Sequence, residues 1–479
     1  MNNSATGAGG SVGLPPKKKM AIRGSWVLTW QDDRPALLRD HTVYVDDGVI
    51  TGVTPDRPAA GEEVIEYEES LVLPGMINLH SHIINGAMFR GIPDDARFED
   101  PWMQRLIYQL LMPLGQLTHK TLAKHEVRDL VMLGMLDVMR GGSTTLVDQW
   151  HLGQEAVYFD VAEELGIRTY GAPSVLSAAN FEIGDDGMPR FDFKPHDSSM
   201  LDRAVGVYRA HHGGADGRLG VIFGPHAPDT CVPELLRAVR ETANAHDALI
   251  TIHLSQTPEE VAAVEGRYGK NPVQYLESVG LLGPDLIAAH CVHATDDDLV
   301  TLRRTDTAIA NCVISFARGG INVPLSRYSG AGIRTGIGTD SHGMNLISEL
   351  RTAGWFSKLH EKCAYIASAY DLVRAATLVG ASALRRPDLG RIAAGAKADL
   401  IVASLARPHL QPVWDPVKNL IWKGSSADFT LIMIDGRVIM RDGMCPHIPE
   451  RDIMRRASAA AAKVWTLAEE RGVLSRSIT

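Results

Sequence analysis

The chain has 479 residues, of which 45% are hydrophobic and 22% are charged, and this composition is typical of a globular protein. A chain of this length exceeds the size of one hydrophobic core, so we expect a large domain and a smaller one. The net charge of −9 argues against nucleic acid or an anionic membrane as a partner. No segment reaches the roughly 18 apolar residues of a membrane span. The five cysteines form no Cys-x-x-Cys pair, which is typical of free thiols in the reducing cytoplasm.

Both ends of the chain contain signals for short strands and turns. Residues 1–19 are rich in Gly, Ser, Asn and Pro and are predicted to form a flexible tail, since no apolar segment follows their three lysines. Asp47-Gly48 and Asp435-Gly436 each separate two short apolar strands, which predicts two β-hairpins. We therefore expect residues 20–70 and 391–445 to meet in one small β domain. Residues 446–479 are expected to supply a C-terminal helix.

The central part of the chain, residues 71–390, alternates short apolar strands with helical segments, which is typical of βα units and a parallel sheet. Eight strands favour a (β/α)8 barrel over a doubly wound open sheet. In a barrel, the carboxyl ends of the strands converge on one mouth, where catalysis takes place. The predicted strands are 71–79, 144–148, 167–173, 219–224, 249–253, 286–290, 307–312 and 332–340.

Metal-binding or acid–base side chains stand at five of these eight strand ends. A single histidine at a strand end is more often structural than functional, but the joint pattern predicts a functional site. The first strand contributes two histidines one residue apart, whose side chains share a face of the strand. The six residues are His80, His82, His226, His253, His290 and Asp340.

Imidazoles and a carboxylate are the ligands of a catalytic divalent ion that keeps one position open for water. We assign His80, His82, His253 and Asp340 as ligands of one such ion. Zinc is favoured, and iron or cobalt would fit the same donors. An ion of this kind lowers the pKa of its bound water, and Asp340 can take the proton. His290 is placed to polarise the substrate or its leaving group.

The motifs around these residues resemble the amidohydrolase superfamily, in its mononuclear branch of deaminases and triazine hydrolases. The resemblance implies a distorted (β/α)8 barrel, a small β-sandwich built from both chain ends, and one zinc or iron ion at the four assigned ligands. It also implies a homo-oligomer. The matching segments are LPGMINLHSH (73–82), GPHAP (224–228), IHLS (252–255), AHCVH (289–293), GTD (338–340), GAKADLI (395–401) and IDGRV (434–438).

The sequence departs from the deaminases of that branch after strand five. Their His-x-x-Glu motif uses the Glu to move a proton, whereas this chain has Gln256, whose amide does not titrate near pH 7. Glu259 and Glu260 follow, and we interpret both as residues of the first turn of a helix, favoured there by the helix dipole. The usual histidine of strand seven is missing near residues 310–312, and His342 follows Asp340 where small residues are usual.

These departures favour hydrolysis of an amide, urea, carbamate or thiocarbamate in a small organic molecule, with Asp340, His290 and Gln256 at the catalytic positions. Phenylurea and thiocarbamate hydrolases lie near the triazine hydrolases in the branch that the chain resembles. The alternative is an aminohydrolase, a deaminase or a dechlorinase, acting on an aminated N-heterocycle such as a purine or a triazine. A third hypothesis, a non-catalytic assembly protein, rests only on the missing Glu.

Three further side chains are predicted to contact the substrate. They are His226, Trp150 and His342, and His151 is a fourth candidate for the same pocket wall. The segment after strand one is apolar, with Ile83, Ile84, Met103, Leu106 and Ile107 among its residues. Such a segment would suit an uncharged, hydrophobic substrate, or it would bury an ordinary core face.

Overall fold

The computed structural model describes residues 13–95, 102–150, 155–183, 189–193 and 198–474. The strands, in chain order, are β1 (Met20–Gln31), β2 (Arg34–Asp46), β3 (Val49–Thr54), β4 (Val64–Pro74), β5 (Met76–Ser81), β6 (Ser143–Trp150), β7 (Arg168–Val175), β8 (Ala178–Ile183), β9 (Pro189–Phe193), β10 (Leu219–Val221), β11 (Gly224–Pro225), β12 (Ile250–Leu254), β13 (Leu286–His290), β14 (Ala308–Asn311), β15 (Thr335–Ile337), β16 (Leu400–Ser404), β17 (Phe429–Ile434) and β18 (Arg437–Arg441).

The α-helices are α1 (Ile83–Met88), α2 (Trp102–Arg105), α3 (Met112–Thr121), α4 (Lys124–Arg140), α5 (Glu155–Leu165), α6 (Ser199–His211), α7 (Gly214–Gly217), α8 (Pro233–His246), α9 (Pro258–Tyr268), α10 (Pro272–Ser278), α11 (Asp296–Arg304), α12 (Val313–Ala317), α13 (Leu325–Gly330), α14 (Leu346–Glu361), α15 (Ala369–Arg374), α16 (Gly380–Ala383), α17 (Pro416–Lys423) and α18 (Glu450–Glu470). Two π-helical turns are Leu106–Leu111 and Ala375–Val379, and two 3-10 turns are Pro408–Leu410 and Ser426–Asp428. Of the helices in these ranges, none combines the length and the apolar character needed to cross a membrane.

The two chain ends form one seven-stranded sheet with the strand order β18-β17-β16-β4-β1-β2-β3. Both predicted hairpins are confirmed, β2 with β3 and β17 with β18. Their turn residues Asp47, Gly48, Asp435 and Gly436 all have positive φ, as a tight two-residue hairpin turn requires. The expected β-sandwich is not confirmed, because within the described ranges the chain ends build this single sheet. Next to it, Lys17 of the predicted tail lies 2.8 Å from the Asp435 carboxylate, while residues 1–12 lie outside the described residues.

Two parallel sheets make up the centre of the molecule. β5, β6, β7 and β10 are neighbours in that order, β11 pairs with β7, and β12 to β15 follow one another in the second sheet. Isolated parallel bridges join the two sheets at Ser81–Asp340 and Phe223–Ile250. The hydrogen-bonded ladders are interrupted there, so no closed barrel is seen along the described strands. The architecture is mixed α/β of the TIM-barrel type, with the carboxyl ends of the parallel strands on one side.

The first predicted strand, 71–79, divides in two at Gly75. Up to Pro74 the chain pairs with β1 and β16 in the sheet of the chain ends, whereas β5 pairs with β6. A Cβ on Gly75 would lie 2.2 Å from Thr144 Oγ1, so only glycine allows this close passage from one sheet to the other. The division leaves His80 inside β5 and His82 immediately after it, at the start of α1.

The core positions the ends of the parallel strands. One apolar cluster takes residues from both parallel sheets, including Ile77 of β5, Tyr170 of β7 and Ile287 of β13. The two sheets therefore share an interior, and the larger core cluster packs the helices around them. The C-terminal helix predicted from the sequence is present as α18, which contacts α4 and α3 and is held by Arg456 to the Asp129 carboxylate at 2.8 Å.

Candidate active site

Five of the side chains predicted from the strand ends lie together at the carboxyl side of the parallel strands. The ring of His80 has its centroid 4.8 to 4.9 Å from the rings of His82, His253 and His290. The Nε2 atoms of His82 and His253 are 3.2 Å apart, and Asp340 Oδ1 lies 3.7 Å from His82 Nε2. Apart from His82, which is partly exposed, these side chains are buried.

Two backbone carbonyls fix the tautomers of the two facing imidazoles. His82 Nδ1 donates to the carbonyl of Gln149 and His253 Nδ1 donates to the carbonyl of His226, both at 2.7 Å. Because a carbonyl only accepts, each Nδ1 carries the hydrogen and each Nε2 presents a lone pair. Two lone pairs 3.2 Å apart repel each other unless a cation lies between them. Two nitrogens bound to zinc with tetrahedral geometry at about 2.05 Å would stand about 3.3 Å apart.

The donor set fits a divalent metal ion. Two triads, His80–His253–His290 and His80–His82–Asp340, each bring their ligand atoms within 4.8 Å of one another. Both ring nitrogens of His80 are buried without a hydrogen-bond partner among the described residues, and the same holds for His290. His290 was assigned to the substrate from the sequence, but it stands as close to His80 as the assigned ligands do. The geometry therefore offers five donors, one more than the sequence-based assignment.

The protonation states of the side chains in the cluster favour the binding of a cation. Burial lowers the pKa of His290 to about 4, so its imidazole is neutral at pH 7. Burial also holds the pKa of His80 and His253 well below the usual range. For Asp340, burial would raise the pKa, but the imidazoles of His290 and His82 outweigh it and lower the pKa below its usual range. Neutral imidazoles around an ionised carboxylate are the protonation states that metal binding requires.

The remaining predicted site residues line the same pocket as the cluster. They are Gln256, His226, Trp150 and His342. Arg318 donates to His342 Nε2 at 2.6 Å, and burial together with this guanidinium lowers the pKa of His342 to about 3. His342 is therefore a neutral acceptor. His151 lies outside the described residues.

Apolar side chains from two segments line the rest of the pocket. The segment after β5 contributes Ile83 and Ile84, and the helix that begins with α2 contributes Met103, Leu106 and Ile107. The π-helical turn Leu106–Leu111 lies between α2 and α3, and such turns are frequent at functional sites. The sequence carries no recognisable signal for this turn.

Glu260 stands in the first turn of α9, as interpreted from the sequence, but it is buried. Its carboxylate accepts hydrogen bonds from the backbone N–H groups of Ser255 at 2.8 Å and Gln256 at 2.6 Å. Thr257 caps the helix by accepting from Glu260 N at 3.1 Å. Glu260 therefore holds the loop that carries Gln256 into the pocket.

Asp148 also lines the pocket and was not selected from the sequence. It accepts from Ser81 Oγ and from the backbone N–H of Ile83, both at 2.9 Å, and thereby anchors the chain on either side of His82. Burial raises the pKa of Asp148 to about 8. The sequence could have indicated Asp148, because it stands at the end of the second predicted strand, and the other predicted site residues also stand at strand ends.

The comparisons to known proteins agree with the fold. The model of the amidohydrolase family matches residues 71–439. A 5'-deoxyadenosine deaminase of Methanosarcina barkeri (strain Fusaro / DSM 804) is 30% identical over 450 residues, which cover 93% of this chain and 98% of that protein. The chain belongs to the amidohydrolase family. It is a hydrolase of the class that acts on carbon–nitrogen bonds other than peptide bonds.

Solved structures share the whole fold. Atrazine chlorohydrolase from Arthrobacter aurescens TC1, complexed with zinc, has a TM-score of 0.83 and 25% identity and covers 92% of this chain and 100% of its own. An adenosine deaminase from Xanthomonas campestris with bound zinc has a TM-score of 0.83 at 24% identity, covering 94% of this chain and 100% of its own. At that level of identity, the second likeness concerns the fold alone.

Proposed function

We propose that the protein is a zinc-dependent hydrolase that cleaves the C–N bond of an amide, urea, carbamate or thiocarbamate group in a small, largely apolar organic molecule. His80, His82, His253 and Asp340 are the proposed ligands of one ion. The main support is the facing pair of imidazole lone pairs, 3.2 Å apart, in a pocket that Gln256 also lines. An amide at that position cannot carry a proton, which favours a reaction that needs no second proton shuttle.

Zinc bound in this cluster would act as a Lewis acid and lower the pKa of a coordinated water toward neutrality. Asp340, ionised at pH 7, would accept the proton that the attacking water loses as it adds to the substrate carbonyl carbon. The same carboxyl then delivers the proton to the nitrogen, and the C–N bond breaks. The oxygen of water stays on the carbonyl carbon, and the amine leaves neutral.

His290 and Gln256 are proposed to orient the substrate. The imidazole of His290 is neutral and has no hydrogen-bond partner among the described residues, so its N–H is free to polarise a carbonyl oxygen. The Gln256 amide donates or accepts a hydrogen bond at the pocket wall. The apolar side chains of the pocket, together with Trp150, would exclude bulk water and favour an uncharged substrate.

A second candidate function is favoured by the relatives. A protein 30% identical to this chain is named a 5'-deoxyadenosine deaminase, and another, from Thermococcus sibiricus (strain DSM 12597 / MM 739), is named a 5-methylthioadenosine/S-adenosylhomocysteine deaminase. In an aminohydrolase of this kind, water would attack a ring carbon and ammonia would leave. Another acid would then have to carry the proton that Gln256 cannot.

One variant separates the two candidates. The zinc-loaded protein and Gln256→Glu are assayed against phenylureas and carbamates by amine release, and against adenine nucleosides and aminotriazines by ammonia release. The proposal predicts amine release by the parent protein and a loss of rate in Gln256→Glu. A deaminase scaffold would release ammonia and gain rate, on the order of 10² to 10⁴-fold, from the restored acid. Asp340→Asn is the matched control, since it should inactivate either enzyme.

The domain organisation is part of the same proposal. We infer that residues 71–390, except residues 71–74, which pair in the sheet of the chain ends, work as one distorted (β/α)8 catalytic barrel, with both chain ends in a second unit. The two parallel bridges, Ser81–Asp340 and Phe223–Ile250, and the apolar interior common to both parallel sheets support this inference.

A further inference from the structure

The pocket contains a second polar group of side chains outside the His–Asp cluster. These residues, which we call the acidic recess, are Gln104, Tyr108, Asp229 and Glu260. We propose that the acidic recess binds a neutral hydroxyl or carboxamide group of the substrate and thereby sets substrate selectivity. This inference rests on the proposed function for the reaction, but it concerns binding and can be tested by binding alone.

The recess presents an acceptor that the protein leaves unused. Asp229 is 1% exposed, and its Oδ2 accepts from the hydroxyl of Tyr108 at 3.2 Å. Its Oδ1 is buried and has no hydrogen-bond partner within the described ranges. Arg267 donates to the backbone carbonyl of Asp229, at 2.8 Å, which fixes the backbone without satisfying this oxygen. Buried carboxylate oxygens without a partner are rare, and each one requires an explanation.

The recess also presents an unused donor. Gln104 is 1% exposed, and its Oε1 accepts from Thr257 Oγ1 at 2.7 Å, which fixes the orientation of the amide. Its Nε2 is then directed away from Thr257 and is buried without a partner among the residues that the structure describes. A ligand that satisfies both Gln104 and Asp229 must offer one acceptor and one donor. A hydroxyl and a carboxamide offer both, whereas an ammonium group offers no acceptor.

The charge of the recess agrees with a neutral ligand. Asp229 and Glu260 are both buried, and burial raises the pKa of Asp229 to about 6 and that of Glu260 well above its usual range. Asp229 further raises the pKa of Glu260, because two carboxylates at close range repel. Arg267 acts in the opposite direction on Asp229 and partly balances the remaining charge. A neutral ligand group that donates a hydrogen bond therefore suits the recess better than a cationic group does.

The chemistry of the pocket gives the recess a role in selection. Apolar side chains such as Met103, Leu106 and Ile107 also line the pocket, so a substrate without a polar group would bind against them but leave Asp229 and Gln104 unpaired. A substrate that pairs them gains two buried hydrogen bonds at once. A site built to hydrogen-bond a group discriminates strongly against analogues that lack it.

The test uses two pairs of probes that differ by one hydroxyl. The first pair is 1,1-dimethyl-3-phenylurea and its derivatives with one ring hydroxyl, and the second is 9-ethyladenine and 9-(2-hydroxyethyl)adenine. Binding is measured by titration calorimetry on the zinc-loaded Asp340→Asn protein, which should be inactive, so that no turnover contributes to the heat. This protein is the parent into which the substitutions of the recess are introduced. We expect a hydroxylated probe of at least one pair to bind about 10-fold more tightly than its parent, and the preference to disappear in Asp229→Leu and in Gln104→Leu.

Two further variants and two checks of folding complete the test. Asp229→Asn retains the acceptor oxygen and should retain part of the preference. Thr118→Val is the matched control, because Thr118 lines the same pocket but its hydroxyl donates to the carbonyl of Leu114 at 2.8 Å, so the preference should not change. Zinc content and thermal unfolding show that each variant is folded.

Two results would overturn the proposal: no hydroxyl preference with either probe pair in the parent protein, or a preference that survives in Asp229→Leu. Tighter binding of the 2-aminoethyl analogue than of the 2-hydroxyethyl probe would contradict the neutral ligand. Failure of the proposed function is a separate result, since it would appear as the absence of amine release while the binding preference remains.

Discussion

The ion pair between Arg168 and Asp399 links the central parallel strands to the sheet of the chain ends. Arg168 begins β7, and its guanidinium donates to both oxygens of the Asp399 carboxylate, at 2.8 and 3.0 Å. Both side chains are buried, with 0% and 3% exposure. Asp399 also accepts from the backbone N–H of Asp435, in the turn between β17 and β18, at 2.7 Å.

Replacing Arg168 by methionine should destabilise the protein by about 3–5 kcal/mol, because it leaves the buried Asp399 carboxylate without its partner. The size of the loss follows from the burial, since an exposed pair is worth only about 0–1 kcal/mol. Arg57→Met is therefore the matched control, because the Arg57–Glu66 pair at 3.3 Å is 70% and 41% exposed. The free energy of unfolding is measured by urea denaturation of the zinc-loaded protein.

The double variant Arg168→Met/Asp399→Leu tests the reason for the loss. It removes both charges, so it should recover most of the stability that the single variant loses. A loss below about 1 kcal/mol in Arg168→Met, equal to that of the exposed control, would refute the reasoning. An equal loss in the single and double variants would also count against it, because the cost would then not come from an unpaired charge.

Two other predictions concern the pocket wall. Glu260→Gln places an amide N–H opposite the backbone N–H groups of Ser255 and Gln256. The substitution should therefore lower the free energy of unfolding by about 1–3 kcal/mol and lower kcat, while zinc stays bound. Full activity with unchanged stability would contradict this prediction. Burial and the neighbouring Arg318 lower the pKa of His342 to about 3, below its usual range. Between about pH 6.5 and pH 3, the unfolded chain therefore binds a proton at His342 that the folded chain does not bind. The stability of the folded protein should therefore decrease as the pH is lowered through that window, and it should decrease less in His342→Gln. Thermal unfolding at a series of pH values measures this. Parallel curves for the two proteins would contradict the effect of His342 on stability.

The sequence predicted the elements that depend on local chemistry. Asp47-Gly48 and Asp435-Gly436 define their hairpins because both turns need positive φ, which these residues tolerate. The strand ends were predicted because buried parallel strands are short apolar runs. Metal-binding or acid–base residues stand at the ends of five of the eight predicted strands. The convergence of His80, His82, His253, His290 and Asp340 then required only the assumption that parallel strands end on one side.

The features that sequence reasoning missed depend on distant contacts. The strand break at Gly75 is set by the close approach of Thr144, which no local pattern reveals. Gln104 and Asp229 lie 125 positions apart in the sequence. They line the same pocket only because the fold brings the segment around the π-helical turn and the loop after β11 together. The β-sandwich came from family resemblance, whereas the chain ends form a single sheet along the described strands.

We propose that His82 and His253 would hold one zinc ion through their facing Nε2 atoms. The direct measurement is the zinc content per chain of the parent protein and of His82→Ala/His253→Ala, each dialysed after loading and assayed for hydrolysis. We expect about one zinc per parent chain, and neither zinc nor activity in the double variant, with its fold retained by circular dichroism. Zinc retained by the double variant, or turnover by a chelator-treated parent free of metal, would contradict the account.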